Sequence, residues 1–396
     1  MLNRRAFVQS LGVGTAGSLT LLQAELRGKT AAVQERAARP AMPPGAIRIG
    51  SNENPYGPTP AAIEAARTAI AEGHRYGGSA SSTLIAALAK SHGVPPAEIM
   101  LSGGSGDVLR ATIQAYTDKT KALVSGSPSY EQPVRQAKQA GVPVHEVPLT
   151  SDLKLDLGAM LAKAPGSGLV YICNPNNPTS TVVPLTEVAA VIESVAKNSP
   201  GTFVLVDEAY FEFAEDPAFG TVIPLIAQYP QLIVARTFSK IHGMAGMRVG
   251  YAVAQEKTLA ALKEHHSSSG MGIMSLSAAV ASFADTATLQ KNQLLNRQVR
   301  AYTTTAFTKA GYNVAASQAN FVLVDIRRDV KGFIEACRLK GVVIGRPFPP
   351  LNNWARITIG TQSEMEQAMG VFMETLATAP TAVAAVHPSL AAYWSC

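Results

Sequence analysis

Cysteine is scarce in this sequence. Cys173, Cys337 and Cys396 are odd in number and widely spaced, which makes neither a disulfide framework nor a zinc pattern. The seven histidines include one vicinal pair, His265-His266, and no HExxH arrangement, so a metal site has no support. No GxSxG elbow occurs, and with it goes the usual signature of a serine hydrolase. Charge is thin too, at 16% of residues, and the formal net charge of +6 is unevenly spread. Residues 1–44 hold Arg4, Arg5, Arg27, Lys29, Arg36 and Arg39 against Glu25 and Glu35, a net +4, which leaves about +2 for the rest. With no basic helix and no aromatic-basic stripe, nucleic acid is not an expected partner.

Apolar content is what the chain has. At 47% hydrophobic, 396 residues can bury large cores and suit two domains in one subunit. Asn3-Arg4-Arg5-Ala6-Phe7-Val8-Gln9 precedes a weakly hydrophobic, glycine-bearing stretch from Ser10 to Ala24 that is too short to span a bilayer. This resembles a twin-arginine export signal, and the resemblance implies the twin-arginine machinery as a partner and a periplasmic or otherwise exported location. That pathway carries folded proteins. Within the same stretch, Gly12-Val13-Gly14-Thr15-Ala16-Gly17 matches GxGxxG. No strand precedes it and no βαβ helix can follow in a cleaved segment, so it is not a dinucleotide site.

From about residue 59 amphipathic helices alternate with short apolar strands. Pro60 to Ala71, Ser82 to His92 and Asp107 to Tyr116 are predicted helices. Met100-Leu101, Lys121 to Val124, Leu169 to Ile172, Phe203 to Val206, Leu232 to Ala235 and Val249 to Val253 are predicted strands. The pattern predicts an α/β fold, with a mostly parallel sheet covered on both faces. After about residue 285 a long polar helix leads into Asn320 to Val324, Val342 to Ile344 and Arg356 to Ile359, the texture of a smaller α+β domain. The expected organisation is a signal and linker over 1–44, an N-terminal arm over 45–58, a large domain over 59–284, a small domain over 285–376 and a tail over 377–396.

Three charged residues stand where strands end. Lys240 closes Ile233-Val234-Ala235-Arg236-Thr237-Phe238-Ser239-Lys240, Arg248 follows shortly, and Asp207 ends the run Phe203 to Val206. An amine, a carboxylate and a guanidinium in such places are what pyridoxal phosphate requires: a Schiff base, a partner for the pyridine nitrogen and a phosphate ligand. As a proton-transfer base Lys240 needs a pKa of roughly 7–8, about 3 units below the ordinary lysine value. Burial and a nearby guanidinium both push that way. A carboxylate after so apolar a run needs a cationic partner, unless Asp207 merely caps a following helix. Ser102-Gly103-Gly104-Ser105-Gly106 lies between strand and helix, where free amides and the helix dipole favour an anion, although a plain tight turn would look the same. Asn174-Pro175-Asn176-Asn177-Pro178-Thr179 follows a strand and is either a turn or a ligand contact, with Asn177 and Tyr210 able to meet a phenolate oxygen. Arg356, flanked by apolar residues, suits a substrate carboxylate or an internal salt bridge.

These motifs, in this order, resemble the class I/II aminotransferases of the aspartate aminotransferase fold, specifically the histidinol-phosphate aminotransferase subgroup, over about residues 46–376. The strongest marks are Asn52-Glu53-Asn54-Pro55-Tyr56-Gly57-Pro58, Asn174 to Thr179, Asp207-Glu208-Ala209-Tyr210, Thr237 to Lys240 with Arg248, and Arg356 to Thr361. The resemblance implies that Ser105, Gly106, Thr237, Ser239 and Arg248 bind the cofactor phosphate and that Tyr130 stacks on the ring. It implies a homodimer in which Tyr76 reaches the phosphate across the interface. It places Tyr56, Asn320, Arg346 and Arg356 at the substrate, with Arg346 reading a substrate phosphate. Three departures stand out: Ser180 where a glycine is usual, Asp107 in place of an Asp-Glu pair one residue earlier, and Gly77-Gly78 after Arg75-Tyr76.

The implied activity moves an amino group between an amino acid, or an amine like histidinol phosphate, and a 2-oxo acid through a pyridoxamine form. Decarboxylation or amino-acid oxidation on the same fold is the alternative.

Overall fold

The computed structural model describes residues 45–266 and 271–378. The paired arginines, the GxGxxG match and the tail from residue 379 lie outside the described residues. Ala46–Pro380 forms one contact unit.

Its centre is a seven-stranded sheet of β2 (Ile99–Ser102), β3 (Leu123–Ser127), β4 (Val144–Pro148), β5 (Leu169–Cys173), β6 (Phe203–Asp207), β7 (Leu232–Thr237) and β8 (Gly250–Val253). The order is β2-β8-β7-β6-β5-β3-β4, and β8 alone runs antiparallel to its neighbours. Strand residues alternate between two cores. Val170, Ile172, Val204, Val206 and Val234 pack on one face with Leu84 and Leu88 of α2 (Gly78–His92), and with Val188 and Ile192 of α6 (Leu185–Asn198). Leu169, Tyr171, Leu205, Ile233 and Ala235 pack on the other with Leu109 of α3 (Ser105–Tyr116) and Leu259 of α7 (Glu256–Lys263). Covering both faces explains why these strands are continuous apolar runs without polar alternation.

The helix starts follow local chemistry. Thr59 Oγ accepts the Ala62 amide at 3.2 Å, with Pro60 in the first turn, and opens α1 (Pro60–Ala69). That helix tightens at Ile70–Glu72 into a 3-10 turn, where the periodicity predicts two more helical residues. Helix α2 begins at Gly78, earlier than Ser82, and α3 begins at Ser105, earlier than Asp107. Strand β3 begins two residues later than Lys121 to Val124, and β4, with two polar residues inside Val144-His145-Glu146-Val147, forms an edge that the sequence reading passes over. The Gly77 departure has a packing reason. A Cβ there would meet Leu276 Cδ1 at 2.8 Å and Ile273 Cα at 3.2 Å, both on α8 (Ile273–Ala284).

Beyond the sheet, β9 (Asn313–Val314), β10 (Phe321–Asp325) and β12 (Trp354–Thr358) make a three-stranded antiparallel sheet, in the order β12-β10-β9. It packs with the long α9 (Thr286–Lys309) and with α10 (Val330–Leu339), and α11 (Gln362–Ala377) packs on those two helices. Helix α11 opens with a capping box between Thr361 and Glu364. The N-terminal arm joins this part, because β1 (Ile47–Ile49) pairs in parallel with β11 (Val342–Ile344).

Candidate active site

The carboxyl ends of β5, β6 and β7 deliver the charged groups to one edge of the sheet, where open parallel sheets place ligands. Asp207 is the last residue of β6 and only 3% exposed. Its Oδ2 accepts the Tyr171 hydroxyl at 3.0 Å and its Oδ1 accepts the Ala209 amide at 3.2 Å. Burial pushes its carboxyl up to about 6, while those two hydrogen bonds and Lys240 pull the other way. No helix follows for it to cap. The chain enters a three-residue 3-10 turn, Phe211–Phe213, with no side-chain cap.

Lys240 stands just beyond β7. Its Nζ donates to the Asn52 carbonyl at 3.1 Å and lies 5.5 Å from the centre of the Tyr210 ring. Burial, and then the charges of Arg356 and Arg248, push its amine down to about 8. That is close to the value a base at neutral pH requires.

The anion end is built from β2, β7 and β8. Ser105 and Gly106 open α3, whose first amides lack helical acceptors. Gly104 before them has φ +90°, and a Cβ there would meet Arg248 Nη2 at 2.2 Å. Arg248 itself adopts φ +55° and donates to Ser239 Oγ at 3.2 Å and the Gly103 carbonyl at 3.3 Å. The predicted strand start at Val249 therefore moves to Gly250. Thr237 Oγ accepts the Ser239 amide at 3.0 Å, so Ser105, Gly106, Thr237, Ser239 and Arg248 form one cradle. Asp107, the departure in this loop, accepts from the Gly103 amide at 3.2 Å and pairs with Arg110 at 3.4 Å, closing the turn.

At the opposite end Arg356, on β12, has no carboxylate partner among the described residues. It donates to Asn177 Oδ1 at 2.8 Å and to the Gly50 carbonyl at 2.7 Å, and its Nε is buried without an acceptor. Burial pushes its guanidinium down to about 10. Asn177 thereby keeps Nδ2 as a donor. Asn320 donates to the Asn52 and Glu53 carbonyls, and its buried Oδ1 has no partner. Such orphaned polar atoms mark a place for a polar ligand. Tyr130 lies between the ends, its phenol raised by burial and by Asp207. Arg346 ion-pairs with Glu131 and lies 4.2 Å over the Phe348 ring. Tyr56 is on the arm and 36% exposed, whereas Tyr76 is fully exposed at 102%.

A model of the family Aminotransferase class I and II matches residues 44–372. The chain belongs to that family. It is 35% identical over 321 residues to a histidinol-phosphate aminotransferase of Symbiobacterium thermophilum, covering 80% of this chain and 87% of the relative. It is 36% identical over 308 residues to an aromatic amino acid aminotransferase of Rhodococcus erythropolis, covering 76% and 83%. Among solved structures, histidinol-phosphate aminotransferase from Sinorhizobium meliloti in complex with pyridoxal-5'-phosphate superposes with a TM-score of 0.77. That match is at 29% identity and covers 84% of this chain and 90% of the other.

Sequence reasoning about this aminotransferase chain missed Asn52. It adopts φ +53°, where asparagine is favoured among non-glycine residues. Its Nδ2 donates to Tyr210 Oη at 3.0 Å, its carbonyl holds Lys240 and Asn320, and its amide donates to Thr358 Oγ at 2.9 Å. The quoted run Asn52 to Pro58 was the available signal. Tyr171 and Glu131 were missed as well. Ser180, in the usual glycine position, has φ +60° and donates from its hydroxyl to the Thr179 carbonyl at 2.5 Å.

Lys240 in the cofactor-free protein is expected to react with an acylating reagent with a midpoint near pH 8, ahead of the surface lysines. Peptide mapping across pH 6–11 measures this. A Lys240 profile coinciding with the other lysines contradicts it.

Proposed function

We propose that this protein is a pyridoxal-phosphate-dependent aminotransferase that exchanges an amino group between an amino acid, or an amine like histidinol phosphate, and a 2-oxo acid. One observation carries the reading. The Lys240 amine and Asp207 carboxylate stand desolvated at neighbouring strand ends, between an anion cradle and Arg356. The residues fit the cofactor: unshared helix-terminal amides suit its phosphate, a buried carboxylate its ring nitrogen, and a depressed amine its aldehyde.

When bound, the cofactor supplies an aldehyde carbon for the amino group and a protonated ring that withdraws electrons from the substrate. The chain's own residues do the rest. Ser105, Gly106, Thr237, Ser239 and Arg248 hold the phosphate, with Tyr76 of each subunit of a homodimer reaching the other's site. Asp207 would face the ring nitrogen as its anionic partner. Tyr130 would cover one ring face, and Asn177 and Tyr210 would be the donors for the ring oxygen. Lys240 Nζ would serve as the base for the proton of the substrate α-carbon. Asn320 and Arg356 orient the substrate carboxylate, and Tyr56 closes over it.

Arg346 stands at the distal end of the substrate. Its pairing with Glu131 means that a phosphorylated amine must displace a carboxylate, whereas an uncharged side chain leaves the pair intact. The twin-arginine pattern at Arg4 and Arg5 supports export as the location, with the cofactor loaded beforehand.

Purified enzyme should lose the visible band of its bound cofactor on adding an amino donor and regain it with a 2-oxo acid. Silence across a broad donor panel contradicts transamination, and release of carbon dioxide or peroxide instead assigns decarboxylation or oxidation. Lys240→Ala should cost at least about 10³-fold in turnover. Glu131→Gln should improve kcat/KM for a phosphorylated donor about tenfold relative to an unphosphorylated one. An unchanged ratio removes Glu131 from specificity. Replacing Arg4 and Arg5 together by lysine should retain the protein in the cytoplasm, and unaltered fractionation contradicts the export assignment.

A further inference from the structure

Tyr171 does work that an apolar strand does not need. It is fully buried in the middle of β5, inside a core where phenylalanine would pack as well, yet it carries a hydroxyl. A buried hydroxyl without a partner is costly, so its acceptor is part of the design. That acceptor is Asp207 Oδ2, at 3.0 Å on the neighbouring strand.

We infer that Tyr171 is a positioning residue for Asp207, a neutral donor built into the sheet that holds the carboxylate in one rotation and favours its anionic form. The inference rests on the reading that Asp207 faces the ring nitrogen of pyridoxal phosphate.

The surroundings leave this role to Tyr171. Five groups face Asp207: Tyr171 and Cys173 from β5, Tyr130 from the loop before α4 (Gln132–Gln139), Lys240 from beyond β7, and Glu208 next in its own chain. The Cys173 thiol donates to the Pro175 carbonyl and not to the carboxylate. Tyr130 spends its hydroxyl on Gln132 at 3.2 Å. Glu208 is engaged by Arg236 at 2.6 Å, by Thr221 and by the Val222 amide. Lys240 acts through its charge and donates to Asn52. Among the described residues, only the Tyr171 hydroxyl and the Ala209 amide donate to the Asp207 carboxylate. Burial also raises the Tyr171 phenol well above its ordinary value, so it stays protonated and remains a donor throughout the working range.

A donor of this kind favours the anion over the neutral acid. Its removal therefore matters most where the free protein would otherwise carry a protonated Asp207. Above that range the free and loaded proteins both hold the anion, and the loss cancels between them.

The test is the dissociation constant of pyridoxal phosphate for cofactor-free wild type and Tyr171→Phe, followed by absorbance from pH 5.5 to 8.5, with thermal unfolding alongside. Titrations of the cofactor itself cancel in the ratio. Tyr171→Phe should bind about tenfold more weakly at pH 6, and the ratio should shrink below about threefold at pH 8.5. An equal loss at every pH, or none, overturns the inference. If Tyr171→Phe does not fold, 3-fluorotyrosine at this position, a stronger donor, should move the acid limb of binding to lower pH. An unmoved limb is equally decisive. Asp207→Asn separates the two levels: if it binds the cofactor as tightly as wild type, the underlying reading of Asp207 fails and not merely the part given to Tyr171.

Discussion

A carboxylate at the end of a strand that is otherwise apolar sets the terms for the rest of this site. Val204, Leu205 and Val206 are sealed from solvent, and Asp207 continues them with only 3% exposure. An ion in such a place is tolerated only with donors and a facing cation. The parallel sheet supplies them from the flanking strands: Tyr171 from within β5, Lys240 from just past β7. Burial that raises the acid to about 6 lowers the amine to about 8, which brings two groups of ordinarily distant proton affinity close together. Convergence of that kind is what acid–base chemistry at neutral pH asks of a protein.

Beneath this pair lies a second buried ion cluster that reacts with nothing. Arg236 donates to Glu208 through Nε at 2.9 Å and Nη2 at 2.6 Å, approaches Glu212 at 3.7 Å and stacks 3.8 Å over Phe211. Glu208 also takes the Thr221 hydroxyl and the Val222 amide. With both Glu208 oxygens engaged, the cluster anchors the turn that carries both Asp207 and Tyr210. A site that must orient a ring to within fractions of an ångström benefits from a base of this stiffness.

The fold was readable where periodicity and burial agree. Apolar runs at Leu169, Phe203 and Leu232 announced buried strands, and Asp207 and Lys240 announced themselves by ending or following them. Arg356 was readable for the same reason. Edge strand β4 was not, since its adjacent polar residues His145 and Glu146 and its terminal Pro148 lack the signature of the central strands. Tyr171 was invisible because a tyrosine inside an apolar run reads as packing, and only the three-dimensional register shows an acceptor for its hydroxyl. Asn52 stood in a marked run, but its role was not legible because its contact with Lys240 joins residues 188 apart, and the atom that matters is a backbone carbonyl. Arg248 in a left-handed conformation shortened a strand whose composition alone would have run longer.

The pairing of β1 with β11 carries a consequence for how the molecule is made. Ile47 meets Val342, and the segment bearing Asn52 is held both by Tyr210 and Lys240 near the central sheet and by the later strands that carry Val342 and Thr358. Val342, Arg356 and Thr358 all follow Lys240 in the chain, so the last supports of the arm are made after the sheet that carries Lys240. The order of translation thus places the central sheet, complete at Val253, before the strand that brings Arg356 to its edge.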